Sequence, residues 1–509
     1  MKSPKDVINF FKLNLPVLFL MVILAVIGYA NVLNGQFLSA DDISSIVQNP
    51  KIRQFGEIAK SLNLVSIYAS AIYIVSNGSP VAFHVFSLFL HLLNTFLVML
   101  LAYLLYGKRV ALYASLIFCL LPSGSEAVFW ISGASYVFQA FFSLLVINLY
   151  FLFRTTGERH FFLASAVVYL AALIFVQTPW LFTVPFMIVA LDIFQGQRVN
   201  YLASLKHWKS YGIYYIFAVG YWLLVMSGRF ATRVTGLVTD YYYDPSQSTS
   251  LIFRLPYSVY KAVELYLLPV RLSFFHEEAL TRSVYNFMIG VTVAIFLLLI
   301  YLVYKKSRYA GLMLAILASI LPVLSPVQVA WFAAERYLYL GGAFLAMILS
   351  LLIIKIDYRQ RIKNLAGYLT IFLLVLYSMR LITRAADFKS SKALWTATQR
   401  TAPTSYRVYN NLGDVYTKEQ NWDLALASFG RAIELAPDYA DAIHNLGYTY
   451  LLMGDLENAK KYLLESYEKD GQLYQALEKL GQIELAQGNV DKAKEYFTEV
   501  SRINPDFKY

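Results

Sequence analysis

Cysteine is nearly absent: Cys119 is the single one in 509 residues, so no disulfide and no cysteine-based metal site can be built within the chain. Charge is scarce as well, with only 15% Asp, Glu, Lys and Arg. A soluble domain carries about a quarter charged residues. Apolar residues reach 58%, aromatics 16% and the mean hydropathy is +0.52, which excludes a soluble globular protein of this length. The charge that is present is unevenly placed. Residues 385–509 hold 14 basic and 18 acidic side chains, leaving 29 basic and 14 acidic of the total 43 and 32 upstream. The upstream excess reads as the bias of cytoplasmic membrane turns towards Lys and Arg, and calls for no nucleic-acid partner.

At the C-terminal end, Asn411-Leu412-Gly413, Asn445-Leu446-Gly447 and Lys479-Leu480-Gly481 recur at a step of 34 residues. That step is the tetratricopeptide (TPR) period. Tyr416, Ala425, Phe429, Ala432 and Pro437 recur as Tyr450 and Ala459, then as Ala493, Phe497 and Pro505. These are small and aromatic packing positions of a helix-turn-helix repeat. Three repeats are expected at 406–439, 440–473 and 474–507, with residues 384–405 as a degenerate half repeat joined to the last span.

The upstream part, residues 1–383, contains eleven apolar runs near the roughly 17 to 25 residues a membrane helix needs. With the N-terminus inside, each inside turn is basic: Lys108 with Arg109, Arg154 with Arg159, Arg198 with Lys206 and Lys209, Lys305 with Lys306 and Arg308, and Arg359 with Arg361 and Lys363. An odd number of spans then places the repeats outside. The expected architecture is all-α: a polytopic helix bundle followed by a TPR solenoid. Two outer segments, 34–81 and 229–283, are too long for turns; the second holds Asp240 to Pro245 and an apolar helix from Arg254 to Pro269, expected to lie in the interface.

Chemistry-bearing residues gather at the outer ends of the spans. Asp41 and Asp42 follow the first span; adjacent acids repel, so one is expected to hold a raised pKa, as a general base near a membrane surface would. The alternative is a helix N-cap. Glu126, in Leu121-Pro122-Ser123-Gly124-Ser125-Glu126, is an ionisable group close to the membrane, either functional or paired to orient helices. Glu335-Arg336-Tyr337-Leu338-Tyr339 enters a later span from outside, where Arg336 could cradle a lipid phosphate or pair structurally. Arg254 and Lys261 could add to an anion site.

The order of these features resembles the transmembrane and TPR-containing O-mannosyltransferase family and its bacterial relatives. The likeness is carried by the acidic pair, Phe83-His84 through His91-Leu92-Leu93-Asn94, Pro122 to Val128 with Trp130-Ile131-Ser132-Gly133, then Glu335-Arg336-Tyr337-Leu338-Tyr339-Leu340 and the TPRs. It implies a GT-C-like fold and transfer of a sugar from a polyprenyl-phosphate carrier on the outer face. Asp41 or Asp42 would then be the base and Glu126 a second active-site acid. Arg336, Arg254 and Lys261 would contact the carrier phosphate, with Glu335, Tyr337, Tyr339 and His91 in support. No protein metal ligand is implied, although the chemistry leaves room for a divalent ion. The expected partners are membrane lipid, polyprenyl phosphate and a protein or peptide held by the repeats; the expected location is the inner (plasma) membrane, N-terminus cytoplasmic. Two motifs depart from the family. No histidine stands in Leu121-Pro122-Ser123-Gly124-Ser125, and Val176-Gln177-Thr178-Pro179 replaces a Lys-Glu pair. The alternative reading is a non-catalytic membrane-anchored TPR scaffold.

Overall fold

The computed structural model describes residues 4–195, 207–228, 251–276, 281–324, 331–359, 364–505 and 507. Every regular element among these is helical. Two compact units are formed, Met1–Phe274 with Leu280–Ser390, and Phe275–Ala279 with Ser391–Tyr509.

The first unit is a polytopic membrane bundle. Seven of its helices are long and apolar enough to cross a bilayer: Leu15–Leu33, Pro80–Tyr106, Ile131–Thr156, Arg159–Val176, Arg282–Tyr304, Glu335–Ile356 and Leu365–Asp387. Leu64–Val75, Pro179–Ile193 and Arg308–Leu324 are apolar but shorter. Two of the eleven expected runs are interrupted for local reasons. Residues 110–130 stop being one helix at Cys119, because Pro122 cannot continue the hydrogen-bond ladder and a 3₁₀ turn, Pro122–Gly124, follows. Residues 211–228 pass from an α-helix ending at Tyr221 into a π turn, Trp222–Met226. The apolar helix expected from Arg254 to Pro269 is Leu251–Leu267, with Pro256 inside it. Asp240 to Pro245, with Arg198, Lys206, Arg361 and Lys363, lie outside the described residues.

The bundle's ends are set by local chemistry. Pro80 opens Pro80–Tyr106, where its missing N–H is no loss, and Gly107 closes it at φ +89°. Small residues let backbones approach. A Cβ on Gly124 would stand 2.9 Å from the Tyr339 Cα, and one on Gly133 would stand 3.0 Å from the Ala127 carbonyl. This brings the Pro122–Gly133 segment against the start of Glu335–Ile356.

The second unit opens with Ser391–Thr401, which buries Trp395, and continues as three antiparallel helix pairs. They are Tyr406–Lys418 with Trp422–Leu435, Ala440–Met453 with Leu456–Lys469, and Tyr474–Ala486 with Val490–Ile503. The period has a direct packing cause. A Cβ on Gly413 would meet the Phe429 ring at 2.5 Å, and one on Gly481 would meet the Phe497 ring at 2.6 Å. Between them, a Cβ on Gly447 would meet the Leu463 backbone nitrogen at 2.9 Å. Successive first helices are tied by Thr417 to Thr449 Oγ1 at 3.0 Å and by Asn445 Nδ2 donating to Asn410 Oδ1 at 3.0 Å.

Candidate active site

The site is built where the loop after the first long helix meets the Glu126–Gly133 segment. Asp41 has φ +73°, a left-handed conformation that Asp tolerates better than most residues because its short side chain can bond locally. That turn separates the two carboxylates. Neither caps the π turn Ile43–Val47 that follows; the Asp41 carbonyl takes Ser45 N at 2.9 Å and Ser45 Oγ at 2.5 Å instead.

Asp42 points inward and is fully buried. Its Oδ2 accepts Leu38 N–H at 3.0 Å, and its Oδ1 accepts Ser132 N–H at 2.9 Å and Ser132 O–H at 2.5 Å. Burial pushes its carboxyl up to about 7, against the pull of the bonds from Ser132 and Leu38. Beside this anchor, Trp130 Nε1–H donates to the Ala40 carbonyl at 2.6 Å. Asp41, by contrast, is exposed and lines a cleft of about 890 Å³. The cleft is walled by Ser45, Asn49, Lys51, Tyr68, Ser132 and Tyr136 among others. Partial loss of water against the cleft walls also raises the Asp41 carboxyl, an effect the Arg336 guanidinium opposes.

Glu126 is fully buried. Its Oε1 pairs with Arg336 Nη1 and its Oε2 accepts Arg336 N–H at 3.2 Å. Arg336 lies between aromatic faces, 5.2 to 5.5 Å from the centroids of Trp130, Phe274 and Tyr337. Glu335 turns the other way and pairs with Arg384 at 2.8 Å, and Arg384 also reaches Asp387 at 3.1 Å. Arg336 is therefore within electrostatic reach of Asp41 but does not line the cleft. Tyr337 packs with Tyr136 and Trp180, ring centroids 5.7 and 5.4 Å away.

His91 and Tyr339 form a separate buried knot. His91 Nε2 lies 3.0 Å from the Cys119 carbonyl, which can only accept, so Nε2 carries the proton and Nδ1 accepts the Tyr339 hydroxyl at 2.7 Å. Asn94 Nδ2 donates to the same Tyr339 oxygen at 3.2 Å. Of the other expected phosphate contacts, Arg254 is 2% exposed and stands 5.5 Å from the Phe332 centroid. Lys261, equally buried, pairs with Glu264 at 2.8 Å. No group of three or more His, Cys, Asp or Glu able to hold a metal ion occurs among the described residues.

The structure thus joins Asp41, Asp42, Glu126 and Arg336 in one place, and sets His91, Tyr339, Arg254 and Lys261 in supporting packing. The sequence pattern does not mark Lys51 or Arg384, and gives Ser132 no role. Its place in Trp130-Ile131-Ser132-Gly133 was the signal for it.

These features define an all-α, multi-pass membrane protein with a TPR array. The tetratricopeptide repeat family models match residues 404–472 and 474–507. The chain is similar to a protein O-mannosyl-transferase of Caenorhabditis elegans, 25% identical over 83% of this chain and 63% of the relative, so it spans somewhat under two thirds of that relative's length. It is also similar to the protein O-mannosyl-transferase TMTC3 of Homo sapiens, 24% identical over 26% of this chain and 14% of the human one. Among solved structures, the archaeal oligosaccharyltransferase AglB from Archaeoglobus fulgidus aligns over 81% of this chain and 59% of its own, at 12% identity and a TM-score of 0.40. The resemblance to TPR-containing O-mannosyltransferases that the residues carried is the one these relatives bear in name.

Proposed function

We propose that the protein is an integral-membrane glycosyltransferase that moves a sugar from a polyprenyl-phosphate carrier to a hydroxyl of a protein or envelope acceptor on the extracytoplasmic face. The observation that carries this reading is the division of labour within the acidic pair. Asp41 stands exposed at a cleft of mixed polar and apolar lining, while Asp42 is buried behind it and locked to Leu38 and Ser132. A base must be reachable by the acceptor and must be held still, and these are the two halves of that requirement. In the reaction, the Asp41 carboxylate takes the acceptor hydroxyl proton and the freed oxygen forms a bond to the anomeric carbon. The bond from that carbon to the phosphate oxygen breaks, and the prenyl phosphate leaves with its electron pair. Asp42 is a positioning residue. Glu126 and Arg336, closed on one another, brace the floor of the site, and the residual field of Arg336 at Asp41 favours the ionised base.

A cleft of this volume is in the range of small-molecule sites, roughly 300 to 1,000 Å³, and favours the enzyme over a bare scaffold, for which an occluded loop would suffice. The TPR array is assigned to holding the acceptor or a partner. The testing experiment incubates the purified full chain with a panel of polyprenyl-phosphate sugars and Ser/Thr-containing peptides, following sugar transfer by mass spectrometry. Transfer from at least one donor is expected; no transfer from any member would leave the scaffold reading standing.

A further inference from the structure

The three cations that the sequence pointed to for a carrier phosphate are unsuited to meeting one. Arg336, Arg254 and Lys261 are each 2 to 4% exposed, and Arg336 and Lys261 are closed on Glu126 and Glu264. The cleft has its own cation. Lys51 lines it together with Asp41, Glu57 and a row of neutral polar groups. Of these charges, Glu57 is already matched by Lys60 at 2.5 Å. Lys51 is exposed, and its backbone is firmly set. It sits in the 3₁₀ turn Pro50–Arg53, its N–H donates to the Asn49 side chain at 3.0 Å, and the neighbouring Ile52 carbonyl accepts the buried Ser70 hydroxyl at 2.6 Å. Asn49 in turn donates to the Ser45 carbonyl at 3.1 Å, linking this turn to the one after Asp41. The same loop carries exposed apolar side chains at Val47, Phe55 and Leu62. A charged point on a fixed turn beside exposed apolar surface is the chemistry that takes a phosphate on a hydrocarbon chain.

We infer that Lys51 is the phosphate-binding residue of the cleft and that its ligand is a phosphate ester carried on an apolar chain, a sugar diester before transfer and the prenyl phosphomonoester after it. The assignment rests on the transferase reading above and narrows it, since it separates the cation that holds the leaving group from the buried Arg336.

Farnesyl phosphate, a short prenyl phosphate, is the probe, and its affinity is measured on the full chain in nanodiscs of neutral lipid. Lys51→Gln should weaken binding about tenfold or more, as loss of a charge-assisted contact to phosphate does. Lys51→Arg should restore most of it, and Asp41→Asn should not weaken it. Farnesol, which has the chain without the phosphate, should bind wild type and Lys51→Gln alike. That control separates loss of one contact from loss of the cleft. Equal farnesyl phosphate affinity in wild type and Lys51→Gln overturns the assignment and leaves the transferase reading in place. No farnesyl phosphate binding by wild type overturns both. Displacement of the probe by inorganic phosphate or phosphatidylglycerol at similar concentration overturns the ligand class, because it marks an unselective anion contact.

Discussion

Glu126 and Arg336, 210 residues apart in sequence, form a buried ion pair that fastens the Pro122–Gly133 segment to the start of Glu335–Ile356. Both side chains are almost wholly removed from solvent, and the guanidinium is closed in by aromatic faces. Removing one partner of such a pair leaves the other charge stranded. Glu126→Gln should therefore destabilise the protein by about 3 to 5 kcal/mol, read as loss of folded material in detergent, whatever its effect on transfer. Combining Glu126→Gln with Arg336→Met should recover much of that loss, because no uncompensated charge remains. A fully stable Glu126→Gln single variant would show that the pair is not structural.

The buried carboxyl of Asp42 makes a signed pH prediction. Its folded-state pKa, about 7, lies above the ordinary carboxylate value of 3.8. The folded state thus binds its proton more tightly than the unfolded chain. That contribution is complete below about pH 4 and is lost as the pH rises through 7, with a size on the order of a few kcal/mol. Asp42→Asn cannot titrate there. The stability difference between wild type and Asp42→Asn should shift in favour of the variant from pH 5 to pH 8, read as the difference in thermal midpoints. A pH-independent difference would contradict the assigned burial.

Much of this was legible in the sequence, for reasons that differ between the parts. The repeat unit was readable because each contact of a glycine with the facing helix is local and recurs at a fixed step, so Gly413, Gly447 and Gly481 report their own packing. Long spans were readable where apolar residues ran unbroken, as in Pro80–Tyr106, and less so where Pro122 or the π turn at Trp222 divides a run. The site was legible as a set, since the acidic pair, Glu126 and Arg336 all sit at span ends that the basic turns assign to one side. Which acid meets solvent was not, because it depends on the left-handed backbone at Asp41 and on a partner 90 residues away at Ser132. Lys51 left no signal, since one lysine in a loop has neither period nor neighbour to mark it.

The packing account of the repeats is tested by two alanines. Gly413→Ala places a methyl within 2.5 Å of a Phe429 ring that is itself buried, and should cost about 1 to 3 kcal/mol. Gly430→Ala, in the interior of Trp422–Leu435 with nothing within 4 Å of its added Cβ, should instead stabilise by about 0.5 to 1 kcal/mol through helix propensity. Resistance of the repeat unit to limited proteolysis reports both. Equal effects of the same sign would refute the contact.

Orientation has its own test. The basic turns predict that the repeats lie outside; on that expectation a cysteine at the exposed Glu457, introduced in a Cys119→Ala background, should react with a membrane-impermeant maleimide in intact cells. Ser466 would be a poor reporter, being fully buried. Reaction at residue 457 only after permeabilisation would reverse the topology and move the cleft to the other face.

The central claim is that Asp41, and not Asp42, accepts the acceptor's proton. The direct measurement is the turnover of Asp41→Asn against wild type with a polyprenyl-phosphate sugar that wild type uses. Asparagine also tolerates a left-handed backbone, so the φ of +73° is kept while the base is lost. The account predicts a fall in kcat of about 10² to 10⁴-fold with unchanged thermal stability and carrier binding. Wild-type turnover by Asp41→Asn would contradict it.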